Sequence, residues 1–93
     1  MMILVADKFS DAHLACLRDL GCELTYSPTV KAEELPKIIG PYRILVVRSK
    51  QVTAATLQAS TELALVLRAG AGVNPIDVKT ASARGVYVSN CPG

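Results

Sequence analysis

The sequence is poor in aromatic residues: it has no tryptophan, one phenylalanine and three tyrosines, together 4% of its 93 positions. A platform that stacks unpaired bases needs several exposed rings, so single-stranded nucleic acid is a poor match. It also lacks any run of like charge. Ten Lys and Arg against eight Asp and Glu give a net charge of +2, and the two signs are interleaved. A nucleic-acid surface would gather its basic residues on one face or stripe, so no nucleic-acid partner is expected. Long hydrophobic runs are missing too. The longest apolar stretch, Met1 to Ala6, falls far short of the roughly 20 residues a spanning helix needs. The amino terminus has no basic segment of a secretory signal, so the expected location is the cytoplasm, with no membrane contact.

Metal and nucleophile chemistry are equally thin. The three cysteines, Cys16, Cys22 and Cys91, are an odd number without Cys-x-x-Cys or metal-ligand spacing. They read as reduced thiols. Cys91 has no histidine partner that would make it a nucleophile. The single histidine, His13, falls in a predicted helix and reads as a surface residue. No acidic cluster suited to a metal is present.

What the sequence does have is apolar material, 51% of its residues, which is ample for one small packed domain. That material is arranged in a strand–helix rhythm. Met2-Ile3-Leu4-Val5-Ala6 is continuously apolar, as suits a strand covered on both faces of a parallel sheet. Ser10 is a plausible cap for a helix through Asp19, stopped at Gly21. Cys22 to Tyr26 is a second strand, broken at Ser27-Pro28. Ala32 to Leu35 looks helical until Pro36, which predicts a loose turn followed by a helix with Pro36 in its first turn, ending at Gly40-Pro41. Ile44 to Val47 is a third strand, and Thr53 caps a short helix through Ser60. Leu63 to Leu67 is a fourth strand, followed by the tight loop Gly70-Ala71-Gly72. Asn74 is the expected cap of a last helix, with Pro75 at its first position and Asp77 in its first turn, closed at Arg84-Gly85. Val86 to Ser89 is a fifth strand.

Five strands alternating with four helices predict one α/β domain: a doubly wound, five-stranded parallel sheet in the flavodoxin-like order 2-1-3-4-5. Ligands of such sheets bind outside the carboxyl ends of the strands. Those ends carry Asp7-Lys8, Ser27-Pro28, Arg48-Ser49, Arg68-Ala69-Gly70-Ala71-Gly72 and Asn90. Two arginines, a glycine loop and an amide against a single acid favour an anion. Gly70 and Gly72 allow a tight turn with bare N–H groups, and a helix starting near Asn74 would aim its positive end there. Arg48 offers a fork of donors to a carboxylate or phosphate, or else forms a surface ion pair with Glu62 or Asp77. Arg68 reads as a brace of the sheet edge or a cap on carbonyls. The loop departs from a dinucleotide fingerprint at Pro75, where a glycine is needed, and at Asn90, where an acid is needed. A small anion is therefore expected at this loop, and no NAD.

Three elements, Val46-Val47-Arg48-Ser49, then Leu67 to Asp77 around Gly70-Ala71-Gly72, then Arg84 to Gly93, occur in an order and spacing that resembles the amino-terminal part of the D-isomer-specific 2-hydroxyacid dehydrogenases. The likeness runs over essentially the whole chain. It implies a substrate-binding (lid) domain over residues 1–93, paired in the family with a separate NAD-binding domain that would be its cognate partner. It implies oxidation of a 2-hydroxy acid, phosphorylated or not, by hydride transfer to NAD. By similarity Arg48 and Ser49 contact the phosphate or distal end of that small anionic substrate. The backbone of Ala69, Gly70, Ala71 and Gly72 holds its carboxylate, and Asn90 lines the cleft. The dinucleotide fingerprint and the catalytic arginine, glutamate and histidine of the family have no counterpart here. The chain is therefore expected to be a catalytically incomplete fragment that binds no NAD by itself.

Rival readings of the same topology fare worse on the strand ends. A phosphoacceptor receiver needs an aspartate after the third strand and a lysine after the fifth, where Arg48 and Asn90 stand. An FMN-binding flavodoxin needs a hydroxyl-rich loop after the first strand, where Asp7-Lys8-Phe9 stands. A non-catalytic interaction or regulatory module is the remaining alternative, since fold alone does not fix function.

Overall fold

The computed structural model describes residues 2–8, 15, 23–48, 50–69 and 76–91. The expected first helix, with Ser10, His13, Cys16, Gly21 and the start of the second strand at Cys22, lies outside the described residues apart from Ala15, which is helical. Five strands form one sheet: β1 (Met2–Val5), β2 (Glu23–Tyr26), β3 (Ile44–Val47), β4 (Leu65–Ala69) and β5 (Tyr87–Cys91). The order is β2-β1-β3-β4-β5 and every neighbouring pair is parallel, as the alternating rhythm predicts.

The apolar runs are continuous because both faces of the central strands are buried, and the strand period of two sorts them. Leu4, Ala6, Leu45, Val47 and Val66 face the larger core cluster, with Leu35, Ile39, Leu57, Ala81 and Val86 packed among them. Ile3, Val5 and Val46 face the opposite side, flanked by the partly buried Leu24, Ile44 and Leu67.

Short helices cover the larger cluster. A 3-10 turn (Ala32–Glu34) runs into α1 (Leu35–Ile38), with Pro36 in its first turn. An N–H is unpaired there in any helix, so the proline costs nothing. The Glu34 side chain accepts from the Lys31 N–H at 3.1 Å. The helix α2 (Ala54–Ala59) is capped by Thr53 and ends at Ser60, as expected.

The last helix differs from the reading at its start. It is α3 (Val78–Ala83), and its cap is Asp77, not Asn74. Ile76 instead forms an isolated parallel bridge with Val52, and the Asp77 N–H donates to the Val52 carbonyl at 2.9 Å. That pairing makes Ile76 part of an extended bridge, and α3 begins only after Asp77; Asn74 and Pro75 lie outside the described residues. The Asp77 carboxylate accepts from the Thr80 N–H at 3.1 Å and from the Thr80 hydroxyl at 2.9 Å. At the other end the Val86 N–H donates to Ala81 and the Gly85 N–H to Ser82, the double bond of a Schellman stop. Gly85 sits at φ +73°, a conformation glycine adopts without a Cβ clash. Strand β4 starts at Leu65 and runs through Arg68 to Ala69, and β5 includes Asn90 and Cys91. Both therefore reach further toward the carboxyl edge than the apolar runs alone indicate.

Replacing Asp77 by alanine removes both cap bonds and is expected to cost about 1 kcal/mol, several degrees in the thermal midpoint of a domain this size. Asp77→Asn, an equally good cap residue, is expected to retain most of it. Thermal unfolding of the two variants checks both, and an unchanged midpoint for Asp77→Ala rules the cap out.

Candidate functional site

The sheet register places Arg48, Ala69 and Asn90, the described members of the expected site, near one edge. Val5 pairs with Val46, Val47 with Arg68, Arg68 with Asn90, and Ala69 with Cys91. Extending the register by two residues from Val5 and Val46, and by one from Val47 and Arg68, sets Asp7 and Arg48, each just beyond its strand, in one row with Ala69 of β4 and Cys91 of β5. Arg68 and Asn90 stand one row back, inside their strands and not beyond them. The carboxyl edge thus brings Arg48, the end of β4 and the end of β5 side by side.

Arg48 is exposed, directly after the buried Val46 and Val47. Burial of the strand fixes its backbone while the guanidinium stays in water, an economical way to present a fork of donors. Arg68 is half-buried within β4. Ala69 closes β4. Ser49, Gly70, Ala71, Gly72 and Asn74 lie outside the described residues. Ala69 ends β4, and Ile76 is bridged to Val52, which lies beyond β3.

Asp7 is the residue whose role sequence reasoning missed. Its Oδ2 accepts from the main-chain N–H of Arg48 at 2.7 Å and of Lys50 at 3.0 Å. The acid at this edge is thus engaged by the loop after β3. The signal was available: in the order 2-1-3, the residues after β1 and β3 are neighbours, and an aspartate there meets unpaired N–H groups.

Among the described residues no group of three His, Cys, Asp or Glu could hold a metal ion. Among the described residues no helix is long and apolar enough to cross a membrane.

A five-stranded parallel sheet in this order, flanked by short helices, defines a doubly wound α/β domain. The chain belongs to the D-isomer specific 2-hydroxyacid dehydrogenases, whose catalytic-domain model matches residues 3–93. It is 37% identical over 94 residues to D-3-phosphoglycerate dehydrogenase of Archaeoglobus fulgidus, an alignment covering 100% of this chain and 18% of that enzyme. It is 43% identical over 68 residues to hydroxypyruvate reductase of Thermotoga maritima, covering 72% of this chain and 22% of that enzyme. The chain thus spans about a fifth of the length of these curated relatives.

Solved structures agree on the fold. A Pyrococcus horikoshii protein superposes with a TM-score of 0.91 at 25% identity, over 99% of this chain and 28% of that one. The NAD+-bound 3-phosphoglycerate dehydrogenase of Entamoeba histolytica superposes with a TM-score of 0.86 at 24% identity, over 97% of this chain and 32% of that one.

Proposed function

We propose that this chain is the substrate-binding (lid) region of an NAD-dependent dehydrogenase that oxidises D-3-phosphoglycerate, the hydride-transfer reaction that leads into serine biosynthesis. The observation that supports it most is the 37% identity to D-3-phosphoglycerate dehydrogenase along the whole chain. In this reading the carbon-bound hydrogen leaves the 2-hydroxy acid as hydride to NAD, the hydroxyl proton goes to a base, and a 2-oxo acid results. Residues 1–93 supply recognition. NAD and the proton-transferring groups belong to a separate NAD-binding domain, the cognate partner of this one, working in the cytoplasm where NAD is available.

The substrate carries an anion at each end, and the carboxyl edge has two places for anions. Arg48 and Ser49 take the phosphate end, where a guanidinium fork matches the oxygens. The backbone of Ala69, Gly70, Ala71 and Gly72 takes the carboxylate. Asn90 lines the cleft toward the second domain. A second reading, an unphosphorylated acid such as hydroxypyruvate, rests on the 43% identity to a hydroxypyruvate reductase over part of the chain.

An amide-resolved NMR titration of the chain with 3-phosphoglycerate tests the proposal, with sulfate and hydroxypyruvate as comparisons. Saturable shifts at Arg48, Ser49 and residues 69–72, at lower concentration than either comparison, are the expected result. Equal or tighter response to hydroxypyruvate would move the assignment to the second reading. A dispersed spectrum that ignores both 3-phosphoglycerate and hydroxypyruvate would overturn both.

A further inference from the structure

We propose that Asp7 is a positioning residue for substrate: its carboxylate, bound to the main chain on both sides of Ser49, sets the conformation in which Arg48 meets the substrate anion. This rests on the reading of Arg48 as an anion-binding residue.

The geometry is specific. One carboxylate oxygen, Oδ2, accepts from two N–H groups two residues apart, Arg48 at 2.7 Å and Lys50 at 3.0 Å. Charge-assisted bonds of this length are stronger than neutral ones. Their effect is to hold the main chain of Arg48 and of Lys50 to a fixed point immediately beyond β3. Asp7 is itself held, because the preceding β1 is buried through Val5 and Ala6, and the Ala6 N–H donates to the Val46 carbonyl at 2.9 Å. The bracket therefore ties the loop to the most buried part of the sheet.

Two consequences follow. Concave pairs of main-chain N–H groups ordinarily attract anions. Here Asp7 occupies this pair as an internal anion, so an incoming phosphate meets side chains, the Arg48 guanidinium first, rather than these amides. The loop is also set before substrate arrives. An arginine on a free loop would lose backbone as well as side-chain freedom on binding, and a bracketed one loses only the latter.

The test is the affinity of the chain for 3-phosphoglycerate, read by amide NMR, in Asp7→Ala and Asp7→Asn. Alanine removes the acceptor and is expected to weaken binding about tenfold or more, the scale associated with misplacing a binding group. Asparagine keeps an acceptor oxygen at the same reach, and removing a negative charge near the anion favours binding. It is expected to stay within about threefold of the unsubstituted chain. Rescue by asparagine separates positioning from simple charge effects. Amide hydrogen exchange at Arg48 and Lys50 is expected to accelerate in the alanine variant alone. Where Asp7→Ala does not fold, Asp7→Glu replaces it, since the added methylene displaces the carboxylate, and the same loss of affinity is expected. Unchanged affinity in a folded Asp7→Ala or Asp7→Glu chain overturns the inference and leaves the reading of Arg48 standing. No response in the unsubstituted chain overturns that reading and the inference with it.

Discussion

Leu45→Ala is expected to remove about 3 kcal/mol of stability, the middle of the range for a buried leucine that leaves a cavity. Leu45 is fully buried on β3, the central strand, with β1 on one side and β4 on the other. Its side chain lies in the larger cluster with Leu4, Val66 and the residues of all three described α-helices. Regular hydrogen bonding on both flanks keeps the backbone from closing over the space, so collapse relieves little of the cost. Domains of this size are stable by about 5–15 kcal/mol in total, so the loss is a large fraction of what the fold has. Urea unfolding checks it. Leu24→Ala on the edge strand β2, where the leucine is only half-buried, is the comparison and is expected to cost less than half as much. Equal losses at the two positions would contradict the placement of the core around β3.

Arg48→Ala is expected to weaken 3-phosphoglycerate binding by about 10- to 100-fold, since a hydrogen bond to a charged group is worth about 1.5–3 kcal/mol. Stability should hardly change. The Arg48 side chain is exposed, and its bond to Asp7 uses the main-chain N–H, which alanine retains. Exposed substitutions of this kind usually stay within about 0.5 kcal/mol. Arg48→Lys keeps the charge but not the planar fork, so an intermediate affinity is expected. Titration of the three chains by amide NMR, alongside their unfolding midpoints, separates binding from folding. Full affinity in Arg48→Ala would remove the residue from the site.

Where local chemistry decides, the sequence is readable. Thr53 caps α2 because a hydroxyl and a following Ala-rich stretch are sufficient for that turn. Gly85 ends α3 because the stop requires a positive φ. The apolar runs at Ile3 to Ala6, Ile44 to Val47 and Leu65 to Leu67 mark strands covered on both faces, and their alternation with helices leads to a parallel sheet. Asn74 and Asp77 show the limit. Both are good caps, and Pro75 favours the earlier one. The bridge between Val52 and Ile76, residues distant in sequence, holds Ile76 extended, and the cap of α3 is Asp77. The strand ends show it again: β4 and β5 continue past their apolar runs because Arg68 and Asn90 pair with neighbouring strands.

By itself, then, the sequence determined the α/β class, the strand order, the two-sided core and the identity of the cationic edge. The class, the core and the edge residues follow from periodicity and from residue types within a few positions of one another, and the order is the one expected of a parallel sheet of this size. The tertiary structure decided the row that aligns Asp7, Arg48 and Ala69, the start of the last helix, and the carboxylate bracket around Ser49. Each of these depends on a hydrogen bond between segments far apart in the chain, and only the packed sheet brings such groups within 3 Å.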